Sequence, residues 1–256
     1  MQKTKILFTT WDGPQTNYME SLFMPIFQAI QKKEPQYEFH ILQFIWADEE
    51  KIKSIADKSQ SLGVIYNHHL TQRKPVASIG SIITVVQGIK IIKNYIRKHQ
   101  ISIIMPRSTM PSMMVNRLKG VNVKILFDAD GLPLEERVDF AALQRNSIQY
   151  QLLKKTENQL LKKADAVVTR SNKAIDIHVH NIGETFRYKF FKVTNGIDTK
   201  TFLPDLKDRN ELRERVGIKQ TEKVFVYCGS LGEQYCWEEM YAIFTQYLNF
   251  DSNCRF

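Results

Sequence analysis

Through the first 200 residues, short apolar runs alternate with longer stretches whose apolar residues recur at three- and four-residue intervals. Residues 5–10, 38–44, 64–68, 102–105, 124–128, 166–169 and 190–194 have the length and β-branched content of strands. Residues 17–33, 47–62, 79–99, 111–119 and 140–163 read as helices between them. Strand and helix in strict alternation predict an α/β fold, a doubly wound parallel sheet covered by helices on both faces. In 79–99, Ile82, Val85, Val86, Ile89, Ile92 and Ile96 repeat at helical spacing and are expected to be buried, leaving Lys90, Lys93, Arg97 and Lys98 in solvent. The alternative for this helix is peripheral contact with an anionic membrane through its cationic face.

The pattern changes near residue 204. Residues 204–222 are polar and charged, as expected of a linker with a short helix. A second strand follows at 223–228, then Gly229, Ser230, Leu231 and Gly232, then a helix over 238–248. One strand and one helix cannot shield their own apolar faces. The expected organisation is a domain over 1–203, a linker over 204–222 and the first unit of a second, incomplete domain over 223–256.

The 256 residues are 43% hydrophobic and 25% charged, enough for a sizeable core. The net charge of +9 is uneven, since residues 1–200 hold 29 Lys or Arg against 18 Asp or Glu, while residues 201–256 hold 7 against 9. A basic domain suits an anionic bilayer or a phosphorylated substrate. Nucleic acid is not an expected partner, because no ribonucleoprotein motif, paired Cys and His, or continuous basic helix occurs. Cys228, Cys236 and Cys254 fit neither a disulfide framework nor a zinc knuckle and are expected as free thiols. The N-terminal apolar run is too short for a signal peptide and no segment is long enough to span a bilayer, so the expected location is the cytoplasm.

Ligands of a doubly wound sheet bind beyond the carboxyl ends of its strands, which directs attention to the loops there. After the first strand, residues 11–17 (TrpAspGlyProGlnThrAsn) can set a turn at Gly13 against a phosphate at a helix N-terminus, or form an ordinary strand-to-helix turn. After the fifth, residues 128–137 are rich in carboxylates. Asp128, Asp130 and Glu135 are the candidates for hydrogen-bonding an acceptor hydroxyl or taking its proton; the alternative makes Asp130 and Gly131 a turn, and Glu135 and Glu136 the first turn of a helix. Arg107 and Ser108, after the fourth strand, are candidate substrate contacts, a cation for a phosphate beside a hydroxyl. His68, His69, His178 and His180 lack zinc-site spacing, and no metal is expected. Neither a GlyXaaGlyXaaXaaGly motif, a phosphate-loop GlyLysSer or GlyLysThr, nor a GlyXaaSerXaaGly elbow occurs, which removes support for dinucleotide oxidoreductase, phosphate-loop ATPase and serine hydrolase readings.

Glu157, followed by LeuLeuLysLysAlaAspAlaValValThrArgSer (160–171) and by ValThrAsnGlyIleAsp (193–198), resembles the family-4 nucleotide-sugar glycosyltransferases in order and wording. The resemblance extends over essentially the whole chain, most specifically over 157–202 and 223–231. It implies the GT-B architecture, with a Rossmann-like acceptor-side domain joined to an incomplete Rossmann-like donor domain and a hinge at Asn195 and Gly196. It implies a nucleotide-diphosphate sugar as donor, a glycan or lipid-linked acceptor, retention of configuration, no essential metal or cofactor, and a role in surface polysaccharide synthesis. Gly13, Gly229 and Ser230 would approach the donor phosphates. Many members carry two cations in the loop that here reads Gly229, Ser230, Leu231 and, four residues on, Tyr235; both are missing. The paired glutamates that bind the donor would lie beyond Phe256, so the chain alone is expected to be inactive, a front part of a longer enzyme. The alternative is a non-catalytic acceptor-binding module that docks with a separate donor-domain polypeptide.

Overall fold

The computed structural model describes residues 3–196, 199, 202–229 and 231–256. By internal packing the chain divides into a larger unit, Met1–Val138 with Leu143–Gly196, and a smaller one, Asp139–Ala142 with Ile197–Phe256.

The larger unit is built on seven parallel strands: β1 (Thr4–Asp12), β2 (Tyr37–Ile45), β3 (Ile65–Leu70), β4 (Ile103–Pro106), β5 (Lys124–Asp130), β6 (Ala166–Thr169) and β7 (Phe190–Lys192). Their spatial order is β3-β2-β1-β4-β5-β6-β7. The chain winds outward from β1 to β3, then returns to the other side of β1 and winds outward to β7. The reversal between β1 and β4 is a topological switch point, where the carboxyl ends of neighbouring strands lead their loops apart and leave a crevice.

Helices α1 (Met24–Lys33, entered through one π-helical turn, Met19–Phe23), α2 (Glu49–Leu62), α3 (Ala77–His99), α4 (Thr109–Asn116), α5 (Pro133–Phe140), α6 (Ile148–Lys163) and α7 (Asn172–Ile182) connect the strands. Ile6, Leu7 and Phe8 are all buried because β1 is covered on both faces. Leu7 joins a core with Phe44, Ile92, Ile104 and Leu160. Ile6 and Phe8 join another with Phe23, Phe27, Phe39 and Ile55, in which Phe27 stacks on Phe39 at 4.3 Å between ring centroids. Ser171 caps α7, its Oγ accepting from the Ala174 amide at 3.1 Å. The buried Lys189 closes the C-terminus of α6, donating to the carbonyls of Lys162 at 2.7 Å and Ala164 at 2.9 Å.

Two expected elements are corrected. The helix read over 140–163 is two, because Ser147 caps a fresh start, its Oγ accepting from the Tyr150 amide at 3.1 Å. In α3 the buried residues are Gly80, Thr84, Val85, Gly88, Ile92 and Ile96, while Ile79, Ile82, Ile83 and Val86 are exposed. The glycines explain the rotation. A Cβ on Gly80 would stand 2.3 Å from the Gln72 carbonyl oxygen, and one on Gly88 would stand 2.5 Å from the Met114 sulfur. Thr84 lies between them, its hydroxyl accepting from the Gln72 amide at 2.8 Å and donating to the Gly80 carbonyl at 3.0 Å. The small face is pinned inward by close approach, which turns the isoleucines out.

In the smaller unit, α8 (Leu206–Arg215) precedes β8 (Lys223–Val224), α9 (Trp237–Phe250) and β9 (Cys254–Arg255), and β8 pairs with β9 in parallel. The strand read over 223–228 is thus only two residues long. Phe225 packs against Phe244 and Tyr247 of α9, yet α9 buries none of its described residues.

Candidate functional site

At the switch point β1 ends in Asp12, and this carboxylate is oriented by a relay of donors. The Tyr66 hydroxyl donates to Gln43 Oε1 at 2.7 Å, and Gln43 Nε2 donates to Asp12 Oδ2 at 2.8 Å. The Thr10 hydroxyl donates to the same oxygen at 2.9 Å. Among the described residues nothing donates to Oδ1, and the side chain is partly exposed. Burial pushes the Asp12 carboxyl above the usual carboxylate range, although Gln43, Thr10 and the more distant Arg107 pull the other way. A fixed carboxylate with one open oxygen and a raised pKa can accept a hydrogen bond, or a proton, from a substrate hydroxyl.

The adjoining loop closes on itself, since the Thr16 amide and hydroxyl both donate to the Gly13 carbonyl, at 3.2 and 2.6 Å. Gly13 faces Trp46 so closely that a Cβ would stand 2.7 Å from the indole ring. The Arg73 guanidinium lies 4.6 Å over the same ring. This loop is therefore an indole-backed wall of the crevice, and the glycine is required by that approach.

Arg107, Asp128 and Asp130 converge on the other side of the crevice. Arg107 donates to Asp128 Oδ2 at 2.6 Å and to Asp130 Oδ2 at 2.5 Å. Arg170 Nε donates to Asp130 Oδ1 at 3.0 Å. Burial works against the Arg107 charge, and the two aspartates more than offset it. Asp128 is 1% exposed and Arg107 is committed to carboxylates, so they hold the loop, whereas Asp130 keeps part of its side chain in solvent. Asp130 follows a β-bulge with φ of 59°, and Ser108, beside it after β4, has φ of 62°. Left-handed backbone at two adjoining non-glycine positions is costly and is concentrated where function demands a particular loop shape.

Glu135 lies elsewhere, in the first turn of α5 with Glu136, as the alternative reading has it. It is ion-paired with Lys154 at 3.0 Å and with Arg145, and it accepts from the Tyr150 hydroxyl at 2.9 Å. Burial alone would raise its pKa, but these three partners bring it below the ordinary value, which makes it a weak proton acceptor. His178 is buried, kept neutral by burial, and its Nε2–H donates to the Gly131 carbonyl at 3.3 Å, which steadies the loop after β5. Asn195 and Gly196 are exposed at the end of the larger unit, and the φ of Gly196 lies outside the left-handed region. Gly229 is exposed in the smaller unit, close to the Tyr227 ring, and Ser230 lies outside the described residues. Among the described residues no three His, Cys, Asp or Glu are grouped as metal ligands, and no helix is long and apolar enough to cross a membrane.

No family model and no curated protein matches the sequence. Solved structures do match. A glycosyltransferase from Rickettsia africae ESF-5 aligns with a TM-score of 0.60 at 14% identity, over 99% of this chain and 60% of its own. Sucrose-phosphate synthase from Thermosynechococcus elongatus aligns at 0.63 and 13% identity, over 95% and 60%. The structure of TcCGT1 in complex with UDP aligns at 0.56 and 10% identity, over 90% and 58%. The fold is the Rossmann-like one of the GT-B glycosyltransferases. This chain spans about three fifths of the length of those GT-B structures.

Within the GT-B fold, Asp12 is the residue that sequence reasoning passed over. Its signal was position: a carboxylate as the last residue of the strand from which the winding reverses. Because its folded pKa is raised, its stabilising contribution is complete below its unfolded pKa and is lost as pH rises through the folded value. Asp12→Asn removes the charge and keeps the shape. We expect the variant to melt about 2–4 °C above the parent at pH 7 and the two to converge in acid, read from thermal unfolding against pH. A variant no more stable at pH 7 than in acid, relative to the parent, would contradict the raised pKa.

Proposed function

We propose that the chain is the acceptor-side part of a family-4 type, nucleotide-diphosphate-sugar-dependent glycosyltransferase, which moves a sugar to a glycan or lipid-linked acceptor with retention of configuration. It works in the cytoplasm, at the inner face of the membrane, in the synthesis of a surface polysaccharide. The observation that carries this reading is the oriented, half-open carboxylate of Asp12 at the switch point of a sheet whose fold is that of GT-B glycosyltransferases. Asp12 accepts the hydrogen bond of the acceptor hydroxyl, Asp130 offers a second acceptor oxygen, and Arg107 with Asp128 keeps Asp130 in place. Gly13 lets the donor phosphates approach the end of β1, and no metal takes part.

The test is calorimetric titration of the 256-residue chain with glycan and lipid-linked acceptors and with a panel of nucleotide-diphosphate sugars, together with an assay of nucleoside diphosphate release. Saturable acceptor binding is expected, weakened about tenfold or more in Asp12→Asn, the worth of a hydrogen bond to a charged group. No release above background is expected from this chain alone. Robust turnover would show that these residues suffice for transfer; absence of binding to every acceptor and donor would remove the transferase reading.

One observation favours a second reading. Val226, Ile243 and Phe250 are 80%, 63% and 86% exposed in the smaller unit, which suits an acceptor-binding module that docks with a separate donor-domain polypeptide.

A further inference from the structure

The outward face of α3 belongs to no part of the site. Ile79, Ile82, Ile83 and Val86 are 47%, 62%, 39% and 63% exposed, and Val76, just before the helix, is 53% exposed. At 100° per residue, Ile79, Ile82, Ile83, Val86, Lys90, Lys93 and Arg97 fall along one line of the helix, opposite Gly80, Thr84 and Gly88. The first half of that line is apolar and the second half cationic. Rotation does not bury the isoleucines, because the contact of Gly80 with the backbone of residues 72 and 73 leaves no room for a larger residue.

The charge around this line has one sign. Residues 58–127 contain 11 Lys or Arg and no Asp or Glu. Arg73 and Lys74 lie just ahead of the apolar half, and among the described residues Lys90 and Lys93 have no ion-pair partner. A protein partner for an apolar ridge needs only shape; an apolar ridge continued by cations, with no acid for 70 residues, fits an anionic bilayer. A second copy of the chain would bring like charges together on the same line.

We propose that α3 is a membrane-docking element. Val76, Ile79, Ile82, Ile83 and Val86 enter the boundary between headgroups and acyl chains, and Lys74, Lys90 and Lys93 lie against anionic headgroups. The helix starts at the carboxyl edge of the sheet, where β3 ends at Leu70, so the wedge adjoins the edge that carries Asp12. If the transferase reading holds, this selects the lipid-linked acceptor over the free glycan.

The experiment is flotation of the chain with vesicles of phosphatidylglycerol and phosphatidylcholine and with vesicles of phosphatidylcholine alone, with sedimentation velocity of the chain without lipid. The expected result is binding to the anionic vesicles, weakened by salt over the range that shortens the Debye length. Ile82→Ser with Val86→Ser should lower the affinity about tenfold, and Lys90→Gln about fivefold, one lysine's share at an anionic surface. Melting curves establish that the variants fold, and if the double variant does not, Lys90→Gln and the salt series still decide. Equal binding to neutral vesicles, or none to anionic ones, overturns the proposal; so does a dimer that the Ile82→Ser, Val86→Ser variant dissolves while vesicles bind neither protein. The assay needs no donor and no turnover, so its failure leaves the transferase reading intact and the reverse also holds.

Discussion

Replacement of Arg107 by alanine should cost the larger unit about 3 kcal/mol, a fall of about 1 M in the urea midpoint. The guanidinium is the nearest positive charge to Asp128, a carboxylate 1% exposed that sits 2.6 Å from it, while Arg170 Nη2 is 3.7 Å away. Removing the cation leaves that charge buried, and the penalty of an orphaned ion exceeds the net worth of the pair. The same variant with Asp128→Asn should therefore lose less than the two single losses added together, a coupling that a double-mutant cycle reads directly. Additive losses would mean that Arg107 acts through its packing on the Phe23 ring, 4.6 Å away, instead of through its charge.

Gly80→Ala is expected to reverse the usual sign of a helical glycine substitution. In an open helix, alanine gains about 1 kcal/mol over glycine through backbone entropy. Here the new methyl would meet a backbone oxygen at 2.3 Å, and backbone does not yield as a flexible side chain would. The expected outcome is a loss of about 1–3 kcal/mol, the cost of overpacking, measured by urea unfolding. Gly88→Ala meets the sulfur and methyl of Met114 instead and should lose less, because a methionine side chain can turn aside. A gain in stability from Gly80→Ala would mean that α3 does not press on residue 72.

Strand positions and parallel direction were legible in the sequence because buried strands leave continuous apolar runs that little else mimics. All seven strands of the larger sheet fall where those runs lie, with ends shifted by no more than two residues. The orientation of α3 was legible only in part: Val85, Ile92 and Ile96 are buried as expected, but Ile82 and Val86 are exposed, because Ile and Val occupy both faces and glycine carries no weight in an apolar pattern. Only the tertiary approach of residue 72 and Met114 decides which face turns in. The acidic loop was found by composition, but its pairing was not: Arg107 lies 21 residues from Asp128, and nothing in the chain announces that a cation placed there will be spent on it. Asp12 was overlooked because Asp followed by Gly reads as turn chemistry, and its partners Gln43 and Tyr66 come from two other strands.

The two sides of α3 separate what a substitution can damage. On its inward side Gly80 lies against the backbone of residue 72, so a larger residue there costs folding stability. On its outward side Ile82 and Val86 are 62% and 63% exposed, so exchanging them should cost far less stability. If α3 docks on a membrane as proposed, a lineage carrying this helix could alter where the protein resides, or how firmly, by drift along one line of side chains, with the edge that carries Asp12 and the core left unchanged.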